Sequence, residues 1–172
     1  MPNGLSCAPR IFTKILKPIF SKLRLQGFTS VYYLDDTWLM GSTQNECVEN
    51  ISNTVHTLTS ARFIINDAKS VFEPSQEVIF LGFVINSVKM TVSLPVEKQN
   101  KIRTLCNEIL DLKVFKIRYL AVIIGVLVSC LPGVQFGELY YRFLELNRNQ
   151  ALQLSCGEFE YKTTLSHEAN WK

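Results

Sequence analysis

Apolar residues return every three or four positions at Ile11, Phe12, Ile15, Leu16, Ile19, Phe20 and Leu23, which predicts an amphipathic helix over residues 10–25 with Pro18 as a kink. Gly27 closes it. From Phe28 to Leu34 the chain turns β-branched and aromatic, the signature of a strand. Asp35 and Asp36 interrupt before a second short apolar run, Trp38 to Met40, which ends at Gly41. This pattern predicts a hairpin with two acids at its tip. Thr43-x-x-Glu46 fits a capping box, and Val48, Ile51, Val55 and Leu58 carry a second helix to Ser60.

Beyond that helix, Phe63 to Ile65 reads as a short strand, Asn66 to Lys69 as a turn, and Glu77 to Ile85 as a longer strand. Met90 to Leu94 pairs with it through the turn chemistry of Asn86-Ser87. Pro95 opens a different region. Ile102, Leu105, Cys106, Ile109 and Leu110 share one helix, Ile117 to Leu131 forms another, and Phe136 to Leu154 a third, with Pro132-Gly133 between the last two. The fold class expected is α+β: an antiparallel sheet with helices on one face over residues 1–94, followed by an all-α region over residues 95–172.

Composition narrows the function classes. With 172 residues, 47% of them apolar, and eleven Phe, the chain can bury a core, which excludes disorder as its main state. The longest apolar run, Tyr119 to Leu131, falls short of the roughly 18 residues that a membrane span needs. Met1-Pro2-Asn3-Gly4 lacks the basic stretch and apolar core of a secretory signal. Five cysteines at 7, 47, 106, 130 and 156 have no metal-ligand spacing, and their odd number suits reduced core thiols. A cytoplasmic or nuclear protein that is not secreted and does not use a membrane is therefore expected. His56 and His167 are too few for a zinc site.

Charge is uneven. Residues 1–27 carry five bases and no acid, residues 28–94 sum to −4, and residues 95–118 sum to +3. Basic segments flanking an acidic one suit a site for a polyanion with its counter-cations, and equally ordinary solvated faces. The chemistry centres on Tyr33-Leu34-Asp35-Asp36. Adjacent carboxylates repel, and a turn needs only one Asp or Asn, so the pair is unfavourable without a cation. Mg²⁺ prefers such oxygen ligands, with water and phosphate oxygens completing its shell.

Pro2-Asn3-Gly4-Leu5-Ser6-Cys7-Ala8-Pro9, a helix containing Phe12, Tyr33-Leu34-Asp35-Asp36, a second helix, Lys69, and Leu81-Gly82-Phe83 follow one another in order. This constellation resembles the palm of reverse transcriptases, strongly over residues 2–94. The spelling Pro-Asn-Gly-Leu-Ser and the run Leu81 to Ser87 look most like the DIRS group of retrotransposons. Residues 95–172 are similar, more loosely, to that group's thumb and connection.

The resemblance implies Asp35 and Asp36 as catalytic carboxylates and metal ligands for Mg²⁺ or Mn²⁺, two ions in the complete site, with Asp35 the firmer ligand. It implies Asn3, Gly4, Tyr33 and Lys69 on the nucleotide and template side, and Leu81, Gly82 and Phe83 as a primer grip. Gly4 lets backbone approach the template because it has no Cβ. Asn3 stands where Gln is commoner and is one methylene shorter. The implied partners are an RNA or DNA template-primer and a deoxynucleoside triphosphate, and the implied reaction is RNA-directed DNA synthesis. In that family a further Asp precedes the Pro-Gln-Gly loop, which begins here at residue 2, and the fingers precede it too. The expectation is therefore a partial palm with a thumb-like region, inactive alone, with an upstream half as a possible partner. A nucleic-acid-binding relic using residues 10–24 and 98–118, and a protein-interaction relic pairing through an open sheet edge, are the alternatives.

Overall fold

The computed structural model describes residues 5–166. They form two compact units, divided between Gln76 and Glu77.

In the first unit, α1 (Ala8–Leu25) runs through Pro18 and buries Leu16, Phe20 and Leu23. It ends where Gly27 N–H donates to Arg24 O and Phe28 N–H to Leu23 O, a pairing that satisfies two of the last carbonyls. The chain then forms β1 (Thr29–Tyr33) and β2 (Asp36–Met40), an antiparallel pair in register from Thr29 opposite Met40 to Tyr33 opposite Asp36. The turn is thus Leu34-Asp35 alone. The acids do not both occupy it, as the sequence suggested, because Asp36 already pairs as the first residue of β2. In α2 (Gln44–Ser60), Thr43 Oγ1 accepts from Glu46 N–H, and Glu46 Oε2 accepts from Ser42 N–H. The capping box is therefore reciprocal, with the returning bond shifted by one residue.

Residues 63–65 do not form the expected strand. Phe63 N–H is taken by Leu58 O at the end of α2, Ile64 is almost fully exposed, and no neighbouring strand pairs with them. Phe63 instead meets Phe12 edge-on, with 6.2 Å between ring centroids, in the core built on Leu16, Phe20 and Leu23. The buried residues of α2 are Asn50 and Thr54, two polar positions outside the expected apolar stripe. A short 3₁₀ turn, Asp67–Lys69, stands where the sequence predicts a turn.

In the second unit, β3 (Glu77–Phe80), β4 (Phe83–Asn86) and β5 (Thr91–Ser93) form an antiparallel sheet in that order. The single long strand expected over residues 77–85 is in fact two strands. Leu81 and Gly82 reverse the chain with φ of 49° and 76°, a geometry that suits a two-residue hairpin turn and that glycine adopts without strain. The helices follow as α3 (Val96–Asp111), α4 (Ile117–Val128) and α5 (Gly137–Leu154). Pro95 stands at the N-cap of α3, one place before the first helical position expected. A two-residue ladder joins β6 (Phe115–Lys116) to β7 (Lys162–Thr163). Ile109, Phe115, Leu120, Ile123 and Ile124 form this unit's core.

Over residues 1–94, antiparallel strands with neighbouring helices form two separate sheets, β1–β2 in the first unit and β3–β4–β5 in the second, rather than the single sheet expected, and a largely helical region follows. At Pro95 the run of longer strands gives way to helices, with only the two-residue β6 and β7 beyond it among the described residues, whereas the compact units divide between Gln76 and Glu77. Among the described residues no helix is long and apolar enough to cross a membrane. All five cysteines are free thiols; only Cys130 is buried, while Cys7 and Cys156 are exposed rather than in a core.

Candidate active site

Side chains alternate across a strand, so the two faces of the β1–β2 hairpin differ. Ser30 and Tyr32 point to one face, where Ser30 is buried and Tyr32 stacks on Phe20 of α1 at 4.5 Å between centroids. Val31 and Tyr33 point to the other and are exposed. Asp36 lies directly opposite Tyr33 and therefore shares the open face. Helix α1 packs against the face that Asp36 does not use. Asp35 is exposed at the turn, preceded by Leu34 in the left-handed region at φ 53°.

Asn50, Arg24 and Gly41 fix this hairpin against its helices. Asn50 is 1% exposed, and its amide donates from Nδ2 to Thr29 O at 2.8 Å and Met40 O at 2.9 Å. Those two carbonyls belong to the pair at the open end of the hairpin, so one side chain of α2 spans both strands. Its Oδ1 accepts from Thr54 Oγ1 at 3.1 Å. Arg24 donates to Ser30 O at 3.0 Å and lies 5.7 Å from the Tyr32 ring centroid. Gly41 lets the first turn of α2 approach the end of β2: a Cβ there would stand 2.7 Å from Cys47 N. Asn50 and Arg24 escaped the sequence reading. A polar residue inside a helix carries no local sign that its partners are strand carbonyls about 10 and 21 residues away.

The carboxylates of Asp35 and Asp36 make no hydrogen bond or ion pair with any described residue. Two exposed, adjacent, unengaged carboxylates are a donor set that fits a hard divalent cation, which would fill its remaining positions with water or phosphate oxygens. Among the described residues no group of three His, Cys, Asp or Glu side chains gathers around a common point.

Of the other sequence candidates, Tyr33 is exposed beside Asp36. Lys69 is exposed at the end of the 3₁₀ turn, in the same unit as the hairpin but with no bond to its acids. Asn3 and Gly4 lie outside the described residues. Leu81 and Gly82 form the β3–β4 turn and Phe83 opens β4, with Lys98 Nζ 4.7 Å from the Phe83 ring centroid and 3.3 Å from Ser129 O.

Residues 1–85 match the family model described as reverse transcriptase (RNA-dependent DNA polymerase). The Tf2-3 and Tf2-4 transposon polyproteins of Schizosaccharomyces pombe (strain 972 / ATCC 24843) are each 32% identical over 91 residues, and Tf2-7 is 31% identical; each alignment covers 53% of this chain and 7% of the polyprotein. A solved structure, the foamy viral protease-reverse transcriptase dRH in complex with ds DNA, is similar in fold with a TM-score of 0.71. It is 21% identical, and the match covers 98% of this chain and 26% of that one. The chain thus spans a small part of the proteins it resembles. Over residues 1–85 it is similar to reverse transcriptases, and over 91 residues to retrotransposon polyproteins of the Tf2 kind.

Proposed function

We propose that this chain is a retrotransposon-derived piece of an RNA-directed DNA polymerase, with residues 1–94 as palm and 95–172 as a thumb-like region. The observation that carries the reading is the hairpin that presents Asp35 at its turn and Asp36 on the face away from α1, both exposed and unengaged. Asp35 and Asp36 would hold Mg²⁺ or Mn²⁺, which in nucleotidyl transfer neutralises phosphate charge and favours the ionised primer hydroxyl. Tyr33 and Lys69, with Asn3 and Gly4, serve the nucleotide and template, and Leu81, Gly82 and Phe83 steady the primer end. The substrates are a template-primer and deoxynucleoside triphosphates. Five free thiols support a reducing compartment, the cytosol or the nucleus. The spelling Pro2-Asn3-Gly4-Leu5-Ser6 favours the DIRS group within the retrotransposons, whereas the Tf2 similarity supports only the broader class.

The 172-residue polypeptide supplies two of the three carboxylates that two-metal transfer uses, so on its own it binds metal weakly and does not polymerise. Titration with Mn²⁺ is the direct test. Affinity no tighter than roughly millimolar is expected, by analogy with the weakest few-carboxylate sites, and Asp35→Asn abolishes it. Binding that is unchanged in Asp35→Asn would refute the assignment of the hairpin.

A further inference from the structure

Helix α1 carries a feature that the polymerase reading does not use. At 100° per residue, Arg10, Lys14, Lys17 and Arg24 fall within about 80° of one another around the helix and extend about 21 Å along it. All four are exposed, and residues 1–27 contain no acid. Arg24 is held in place by Ser30 O and the Tyr32 ring, while Arg10, Lys14 and Lys17 make no hydrogen bond or ion pair with a described residue. A surface of this length with one sign of charge and no counter-charge of its own attracts a polyanion.

Geometry separates this stripe from the acids. The buried side of α1 packs on the Tyr32 face of the hairpin, opposite the face of Tyr33 and Asp36, and the basic stripe belongs to the exposed side of the helix. A duplex or single strand lying on the stripe is therefore not the one positioned at Asp35. The class of polyanion follows from what α1 has left to offer. A helix that lies on a membrane inserts its apolar face, but here Leu16, Phe20 and Leu23 are buried in the unit's core with Phe12 and Ile19 packed partly against them, which leaves Ile11, Ile15 and Leu25 as the exposed large apolar side chains of the helix. A nucleic-acid backbone needs no such insertion, since phosphate contacts alone supply its affinity. We propose that the Arg10–Lys14–Lys17 stripe of α1 is a second nucleic-acid backbone site, separate from the hairpin and independent of sequence.

The test is fluorescence anisotropy with a labelled duplex DNA oligonucleotide between about 50 and 200 mM salt, using the whole 172-residue chain. Replacing Arg10, Lys14 and Lys17 together by Gln should make the slope of log K against log salt shallower by about 3, at about 0.9 per phosphate contact. The charge-keeping set Arg10→Lys, Lys14→Arg and Lys17→Arg should leave the slope unchanged, with circular dichroism verifying the fold of both variants. The proposal is overturned if the Gln variant keeps the wild-type slope, if the charge-keeping variant loses it as well, or if the wild-type chain binds phosphatidylserine vesicles but not the oligonucleotide. Because the readout involves neither metal nor Asp35, its failure is distinct from failure of the hairpin assignment.

Discussion

Asn50 places three polar atoms where each has a defined partner. Both hydrogens of its amide are donated to strand carbonyls, and its oxygen accepts from Thr54. Asn50→Ala removes two amide hydrogen bonds to strand carbonyls, each worth about 0.5 to 1.5 kcal/mol, and should therefore cost about 1 to 3 kcal/mol in urea unfolding. Asn50→Asp should cost more at neutral pH, because a carboxylate has no hydrogen to give and faces two carbonyl oxygens. A loss under about 0.5 kcal/mol for Asn50→Ala, the range of ordinary surface changes, would show that water replaces the amide. Leu34 and Leu81 form a second residue-scale theme. Both take left-handed φ at the first turn position of a hairpin without being glycine, a conformation that costs an L-residue about 1 to 2 kcal/mol. Each lies within or beside a segment given a role in the proposed site, where such strain is retained when the rest of the fold compensates.

At the scale of elements, short pieces depend on side-chain bonds as well as on their ladders. The β6–β7 pair is two residues long and is supplemented by Ile117 N–H to Tyr161 O, Arg118 N–H to Phe159 O, and Glu160 between Lys116 and Arg118. Hydrogen bonds from Lys116 and then Arg118 hold the Glu160 carboxyl down at about 2 from its ordinary 4.5. A depressed folded value means that this contribution is complete above about pH 4.5 and is lost as pH falls through about 2. Hydrogen exchange should therefore show protection of the Ile117 and Arg118 amides declining across that window. Glu160→Gln should remove the pH dependence, and high salt should weaken it because the pair is exposed. Loss of protection at the same pH in Glu160→Gln would assign the effect to another group.

For the whole molecule, the prediction concerns catalysis by the 172 residues as a unit. Orientation and electrostatic preorganisation supply most of the acceleration in phosphoryl transfer, so under the proposed reading a site that holds its metal through Asp35 and Asp36 alone would lose many powers of ten in rate. Primer extension on an RNA template with this polypeptide should give no incorporation above background. Incorporation that disappears in Asp35→Asn would overturn the inactivity and require a further carboxylate, with Asp67 and Glu73 the candidates in the same unit.

Much of this was legible in the amino-acid order, because helices, caps and hairpins rest on local rules. The period of Phe12, Leu16, Phe20 and Leu23 specifies α1, Thr43 and Glu46 start α2, and the change of pattern at Pro95 marks where β5 gives way to α3. The acidic hairpin was readable for the same reason, as two apolar runs around Asp35 and Asp36. Tertiary structure decided what depends on a distant partner. Residues 63–65 have strand-like side chains but no strand beside them, and the amide of Phe63 closes α2. Residues 77–85 have one continuous apolar pattern, yet β4 folds back on β3 through the left-handed backbone of Leu81 and Gly82, a turn that fits an antiparallel pair. Asn50 is the clearest case: its sequence neighbours say only that it lies in a helix, and its role exists because folding brings the carbonyls of Thr29 and Met40 to its amide.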